Sequence, residues 1–201
     1  MISVYKLKPQ FQALLRPLLK QLRNLGITPN TLTISGLILS LAMGAFSLYG
    51  DRNLALLFMP FVLLLRMALN ALDGMMARIY QMQSKLGAAL NELCDILSDI
   101  FMFYPLGVLF NVHQETIFIF IILSLLNEFA GLLGQALNGE RRYDGPMGKS
   151  DRALVVGLLS MLIYFKIPMF KAFTWIWLTI FTLLIWSTIR RIKNAIPKDH
   201  E

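Results

Sequence analysis

Asn70, Asp73, Asn91, Asp95 and Asp99 lie in two neighbouring stretches of the chain, LLLRMALNALDGMMARIY and SKLGAALNELCDILSDIF, that otherwise read as membrane. Carboxylates at bilayer depth are expensive, and they mark a polar pathway, a metal or a catalytic site. The spacing sharpens this. Asn70 and Asp73 are three apart, and Asn91, Asp95 and Asp99 follow one another at intervals of four, so each set occupies one helix face. Two helices turning such oxygens toward each other suit a hard cation, Mg²⁺ or Mn²⁺. Glu92, three residues before Asp95, and Asp99 are spare carboxylates that could make up the ligand charge. Arg66, four residues before Asn70, points to the same face and is expected to pair with one of these acids.

Glycines and cations complete the set. Gly74 and Gly87 would let a ligand approach the backbone with no Cβ in the way, although close helix packing explains either alone. Arg78 suits a phosphate or an ion pair with a site carboxylate. Read as written, Asn70 to Asp95 gives N-x2-D-G-x2-A-R-x8-G-x3-N-x3-D. This resembles the signature of the CDP-alcohol phosphotransferases, membrane enzymes that carry Asp at the positions held here by Asn70 and Asn91. The stretch from Thr28 to Thr33, TPNTLT, resembles the P-N-x-x-T element opening that family's first membrane helix. Gly148 to Arg152, GKSDR, is similar to the basic element before its fifth.

The resemblance implies transfer of a phosphatidyl or other phospho-alcohol group from a CDP-linked donor, CDP-diacylglycerol first, to a hydroxyl acceptor, with release of CMP. It implies Asn70, Asp73, Asn91 and Asp95 as ligands of Mg²⁺ or Mn²⁺, and Asp95 also as the catalytic base. By the same resemblance Asn30, Gly74, Ala77, Arg78, Gly87, Lys149 and Arg152 contact the substrate, and the chain is a homodimer. With Asn70 and Asn91 neutral, the motif carries two negative charges fewer than the family pattern.

The elements that must position these residues are membrane helices. Of 201 residues 56% are hydrophobic and 15% charged, and the mean hydropathy is +0.60. That composition describes an all-α integral membrane domain over residues 1–201. Apolar windows predict six transmembrane helices, near 31–50, 54–79, 84–110, 115–137, 152–166 and 169–190, the fifth being short. The expected division is a cytoplasmic amphipathic segment 1–30, a six-helix bundle 31–192 and a cytoplasmic tail 193–201. In the first segment Phe11, Leu14, Leu15, Leu18, Leu19 and Leu22 form an apolar stripe flanked by Lys8, Arg16, Lys20 and Arg23, an interfacial helix with a kink or break allowed at Pro17.

Fifteen of the Lys and Arg residues fall on the side of the termini and three, Arg52, Lys166 and Lys171, on the other. That asymmetry puts both termini in the cytoplasm, in an inner membrane. The formal charge of +7 is then a membrane-surface feature, and no nucleic-acid-binding module is visible. The first twenty residues do not read as a cleavable signal peptide. The lone Cys94 sits in an apolar run and excludes an intramolecular disulfide. His113 and His200 have no partners that suggest a metal site.

The turn between the second and third spans, near Gln81 to Ser84, places Asp73 on one side and Asn91 and Asp95 on the other, roughly 10–18 Å from the cytoplasmic interface. Adjacent helices thus carry the polar residues at one depth, as a cavity open to the cytosol requires. Two other classes fit less of the pattern. A non-catalytic nucleotide-lipid binder or scaffold is suggested by Asn70 and Asn91. A small transporter would use Asp95, Asp99 and Glu128 as a proton relay, but no internal repeat is visible.

Overall fold

A computed structural model describes residues 8–168 and 172–196, and within them the chain is helical throughout. The elements are α1 (Lys8–Asn24), α2 (Pro29–Tyr49), α3 (Arg52–Ile79), α4 (Lys85–Phe103), α5 (Leu106–Phe110), α6 (Gln114–Asn138), α7 (Lys149–Tyr164) and α8 (Ala172–Ala195). Five stretches are long and apolar enough to cross a membrane: α2, α3, α4 with α5 (Lys85–Phe110), α6 and α8. The chain is a multi-pass membrane protein. The fifth expected span, 152–166, is the helix α7 of 16 residues. At about 24 Å it falls short of a hydrocarbon core near 30 Å. The first residues of the sixth expected span, 169–171, and the tail beyond 196 lie outside the described residues.

Local signals explain where the helices begin. Thr28 caps α2 by accepting a hydrogen bond from the Thr31 N–H, with Pro29 in the first turn. Asp51 and Ser84 cap α3 and α4 in the same way, accepting from the N–H groups of Leu54 and Gly87. Pro105 separates α4 from α5, so the third expected span bends there. Pro17 breaks nothing, because α1 continues through it as one helix.

The apolar stripe of α1 divides in two. Leu15 and Leu19 are buried with Leu72, Met75 and Met76 of α3, whereas Leu14 is 76% exposed and Leu18 42%. A larger core around Met59, Phe103, Phe120 and Trp177 fills the far half of the bundle. The polar residues of α3, α4 and α6 lie between these two clusters, toward the end where α3 turns into α4.

Helix α2 packs on both α3 and α4, α3 on α7, and α6 on α8. The α2–α4 contact is a main-chain approach: a Cβ on Gly44 would lie 2.3 Å from the Phe101 carbonyl oxygen. Only a residue without Cβ fits. Gly44→Ala is therefore expected to lower stability by about 1–3 kcal/mol, seen as a lower unfolding temperature of the detergent-solubilised protein. Ala45→Leu, on an exposed position of the same helix, should leave that temperature nearly unchanged.

Candidate functional site

The residues singled out above converge between α2, α3, α4 and α7. Asp73 is buried on α3 and accepts a hydrogen bond from the Thr33 hydroxyl of α2 at 2.8 Å. The cap and proline that start α2 at Thr28 and Pro29 thus set the helix phase that aims Thr33 at Asp73. One turn earlier on α3, the Asn70 amide nitrogen donates to Oδ1 of Asp95 on α4 at 2.8 Å. The Asn70 side-chain oxygen rests near Gly36, where a Cβ would meet it at 3.4 Å. Lys149, the first residue of α7, brings its ammonium to the same Asp95 oxygen. Asn91 sits half-buried one turn before Asp95.

The glycines and Arg78 take separate places. A Cβ on Gly87 would lie 2.9 Å from the Asn30 side-chain oxygen, so these two expected contact residues meet each other. Gly74 lies under the Arg78 guanidinium, 3.4 Å from where its Cβ would be. Arg78 itself lines a shallow groove between α1 and α3 with Arg16 and Gln12. The Ala77 carbonyl accepts from the Met82 N–H and closes the α3 end.

Beside this group runs a chain of ion pairs. Arg66 contacts Asp99 at 2.6 Å, and Asp99 accepts from Arg152 at 2.7 Å. The same Arg152 nitrogen donates to Glu128 at 2.9 Å, and Glu128 accepts from Arg141 at 3.0 Å. Arg141 also pairs with Glu92. Arg66 donates as well to the Asp95 main-chain carbonyl at 3.1 Å, which ties this chain to the first group. Arg152 is fully buried and Arg66 and Asp99 nearly so. Guanidinium at that depth persists because each plane finds carboxylate.

Several expectations change here. Arg66 does pair with an acid of the same face. Asp99 and Glu92, read as spare metal ligands, are instead held by arginines. Lys149 contacts a site carboxylate and Arg152 two carboxylates. Asn127 is buried, and Glu128 pairs inward with Arg152. Thr33 was missed as the partner of Asp73, although its position in the TPNTLT element was the available signal.

The loop before α7 carries its own pair. Arg142 donates to both carboxylate oxygens of Asp144, at 2.8 and 3.3 Å. Burial pushes the Asp144 carboxyl upward, but the hydrogen bonds from Arg142 and Asn194 and the Arg142 charge outweigh it and hold the group below the ordinary range. Arg141 is pushed the other way. Burial lowers its pKa, but the charges of Glu92, Tyr143 and Glu128 more than offset that and raise it.

Thr33 of α2 meets Asp73 of α3, and Asn70 of α3 and Lys149 of α7 meet Asp95 of α4, so four helices of the membrane bundle join in one polar group. The sequence matches the CDP-alcohol phosphatidyltransferase model over residues 26–189, and the chain belongs to that family. The inner membrane protein YnbA of Escherichia coli is 38% identical over 200 residues, spanning all of both chains. An archaetidylinositol phosphate synthase of Pyrococcus horikoshii is 24% identical over 188 residues, 94% of this chain and 97% of that one. The fold is shared with Mycobacterium tuberculosis phosphatidylinositol phosphate synthase PgsA1, at 22% identity and a TM-score of 0.69. It was solved with manganese and citrate, where the match covers 89% of this chain and 87% of that one. It was also solved with CDP-DAG bound, where the match covers 89% and 92%.

Removing one member of a buried ion pair leaves its partner charged and unpaired, which costs about 3–5 kcal/mol. Asp99→Ala, which leaves Arg66 without a carboxylate and Arg152 with Glu128 alone, is expected to destabilise the detergent-solubilised protein by that order. Asp144→Ala, on the partly exposed loop pair, should cost about 1 kcal/mol or less. Chemical unfolding of the two variants side by side checks the ranking.

Proposed function

We propose that the protein transfers a phosphatidyl or related phospho-alcohol group from a CDP-linked donor, CDP-diacylglycerol first, to a hydroxyl acceptor and releases CMP. The observation carrying this reading is the hydrogen bond from Asn70, one turn from Asp73 on α3, to Asp95 on α4 inside a family motif, with Asn30 and Gly87 facing each other. Both contacts to the Asp95 side chain fall on Oδ1. Oδ2 then takes the acceptor's proton as its oxygen attacks the phosphorus of the transferred group. The bond from that phosphorus to the CMP oxygen breaks, and CMP leaves. Asn70 and Lys149 keep the Asp95 carboxylate oriented. Arg78, over the α1–α3 groove with Arg16, offers guanidinium to the donor's phosphates.

The donor set suits a hard cation of modest affinity. Asp73 and Asp95 supply carboxylates and Asn91 an amide oxygen, while Asn70 turns its amide nitrogen to Asp95. Among the described residues no three His, Cys, Asp or Glu side chains gather to hold a metal. Asp73, Asp95 and the amides would therefore hold one Mg²⁺ or Mn²⁺. Such an ion, when bound, neutralises the diphosphate and the leaving group. The direct cationic contact of Lys149 on Asp95 favours a second reading, a nucleotide-lipid-binding membrane protein without catalysis.

The same reading extends to the whole chain as one membrane domain. It has six spans, the short helix α7 being the fifth, and both termini on the cytoplasmic side. Helix α1 lies in the interface with Leu14 and Leu18 toward the lipid, and two copies form the working unit.

CMP release from CDP-diacylglycerol with a panel of alcohols separates the two readings. Activity is expected in the natural protein, and Asp73→Ala or Asp95→Ala should each lower it by about 10²–10⁴-fold. Full activity of either variant at normal expression would remove the catalytic reading. Asn70→Asp combined with Asn91→Asp is expected to tighten Mn²⁺ binding measured by calorimetry, because it adds two carboxylates to the donor set. Topology is tested by labelling single cysteines in a Cys94→Ala background. Position 143 should react from the cytoplasmic face and position 112 from the opposite one, and labelling of both from one face would refute six spans.

A further inference from the structure

We infer that the acceptor is a hydroxyl compound without a phosphate or other anionic group. This rests on the transferase reading and deepens it by naming the substrate class. The ground is the charge pairing beside Asp95. Arg66, Asp99, Arg152, Glu128, Arg141 and Glu92 alternate in sign along one unbroken chain, joined by Arg66–Asp99 at 2.6 Å, Asp99–Arg152 at 2.7 Å, Arg152–Glu128 at 2.9 Å and Glu128–Arg141 at 3.0 Å, with Arg141–Glu92 closing it. Three guanidinium groups meet three carboxylates, and Lys149 with Asp95 makes a fourth neutral pair.

Of the other guanidinium groups nearby, Arg142 is paired with Asp144, and Arg191 is 2% exposed and donates to the main-chain carbonyls of Asn127 and Asp144 at 2.8 and 3.2 Å. It is a staple between α6, α8 and the loop before α7.

A phosphate entering here would have to take Arg141 or Arg152 from Glu128 or Glu92 and strand a carboxylate in a poorly solvated setting. A neutral polyol displaces nothing. Its hydroxyls can donate to the outer oxygens of Glu92 and accept from Arg141, whose side chains are 26% and 18% exposed at the rim. Glu92 is thereby the specificity-determining acid: it fills the guanidinium face that an anionic acceptor would need.

The test uses the purified full-length protein in detergent. Thermal unfolding is followed in saturating CDP, which occupies the donor's phosphate contacts, with inorganic phosphate or glycerol 3-phosphate against sodium chloride of equal ionic strength. CMP release from CDP-diacylglycerol is compared for glycerol and inositol against glycerol 3-phosphate.

The natural protein is expected to show no phosphate-specific stabilisation and at least tenfold faster release with the unphosphorylated alcohols. Glu92→Gln, a rim change that keeps size and shape, should create phosphate-dependent stabilisation and move the acceptor preference tenfold toward glycerol 3-phosphate. Adding Arg141→Gln should abolish both gains. Stabilisation of the natural protein by phosphate, or faster release with glycerol 3-phosphate than with the neutral alcohols, overturns the inference while the transferase reading stands. No release with any acceptor overturns the transferase reading itself.

Discussion

Arg152 is a charged side chain with no exposure, set between Asp99 of α4 and Glu128 of α6. The cost of an unpaired charge in apolar surroundings forces those two helices to keep both acids in reach of α7. Through Asp99 the constraint passes to Arg66, and so fixes α3 against α4. That register is what lets Asn70 reach Asp95, and the facing of α3 and α4 at this depth follows from it. The first helix after the cap at Thr28 then needs only one hydroxyl, that of Thr33, to seat Asp73. The site is held by charge pairing above it and by apolar packing on either side.

Periodicity and hydropathy showed the helices well because both depend on local sequence. The turn at Gln81 to Ser84 was visible between two apolar windows, and the structure adds the caps at Thr28 and Ser84. The motif from Asn70 to Asp95 spans α3 and α4, which meet through Asn70 and Asp95. Pairing was the harder part. Spacing says that Asp99 shares a face with Asp95, but it does not say which cation stands opposite. Asp99 and Glu92 could therefore be read as metal ligands until the rotation of α6 and α7 brought Arg152 and Arg141 against them. Lys149 posed the same problem, since a basic residue at a helix start suits a phosphate as well as a neighbouring carboxylate. Pro17 was read as a kink or break, and the packing of Leu15 and Leu19 against α3 holds the helix through it.

Asn70 and Asn91 shape the chemistry by what they lack. Each amide keeps an oxygen that can ligate and adds an N–H that donates, so the motif here builds hydrogen bonds where four carboxylates would repel one another. Asp95 shows the result, with an amide donor and an ammonium on one oxygen. A site so arranged is close to electrically balanced before any ligand arrives. Its selectivity then rests on which partner can enter without disturbing that balance.

The Arg66–Asp99 contact also bears on how the protein is made. A lone arginine at the middle of a helix adds about 2.5–3.5 kcal/mol to the cost of leaving the insertion machinery for lipid. Asp99 arrives on the very next helix, after a connection of only a few residues. The cheapest order of entry is a hairpin of α3 and α4 released together, each masking the other's charge, while Arg152 is delivered later to acids already in the bilayer. On this ground α3 and α4 are expected to enter the bilayer as a pair.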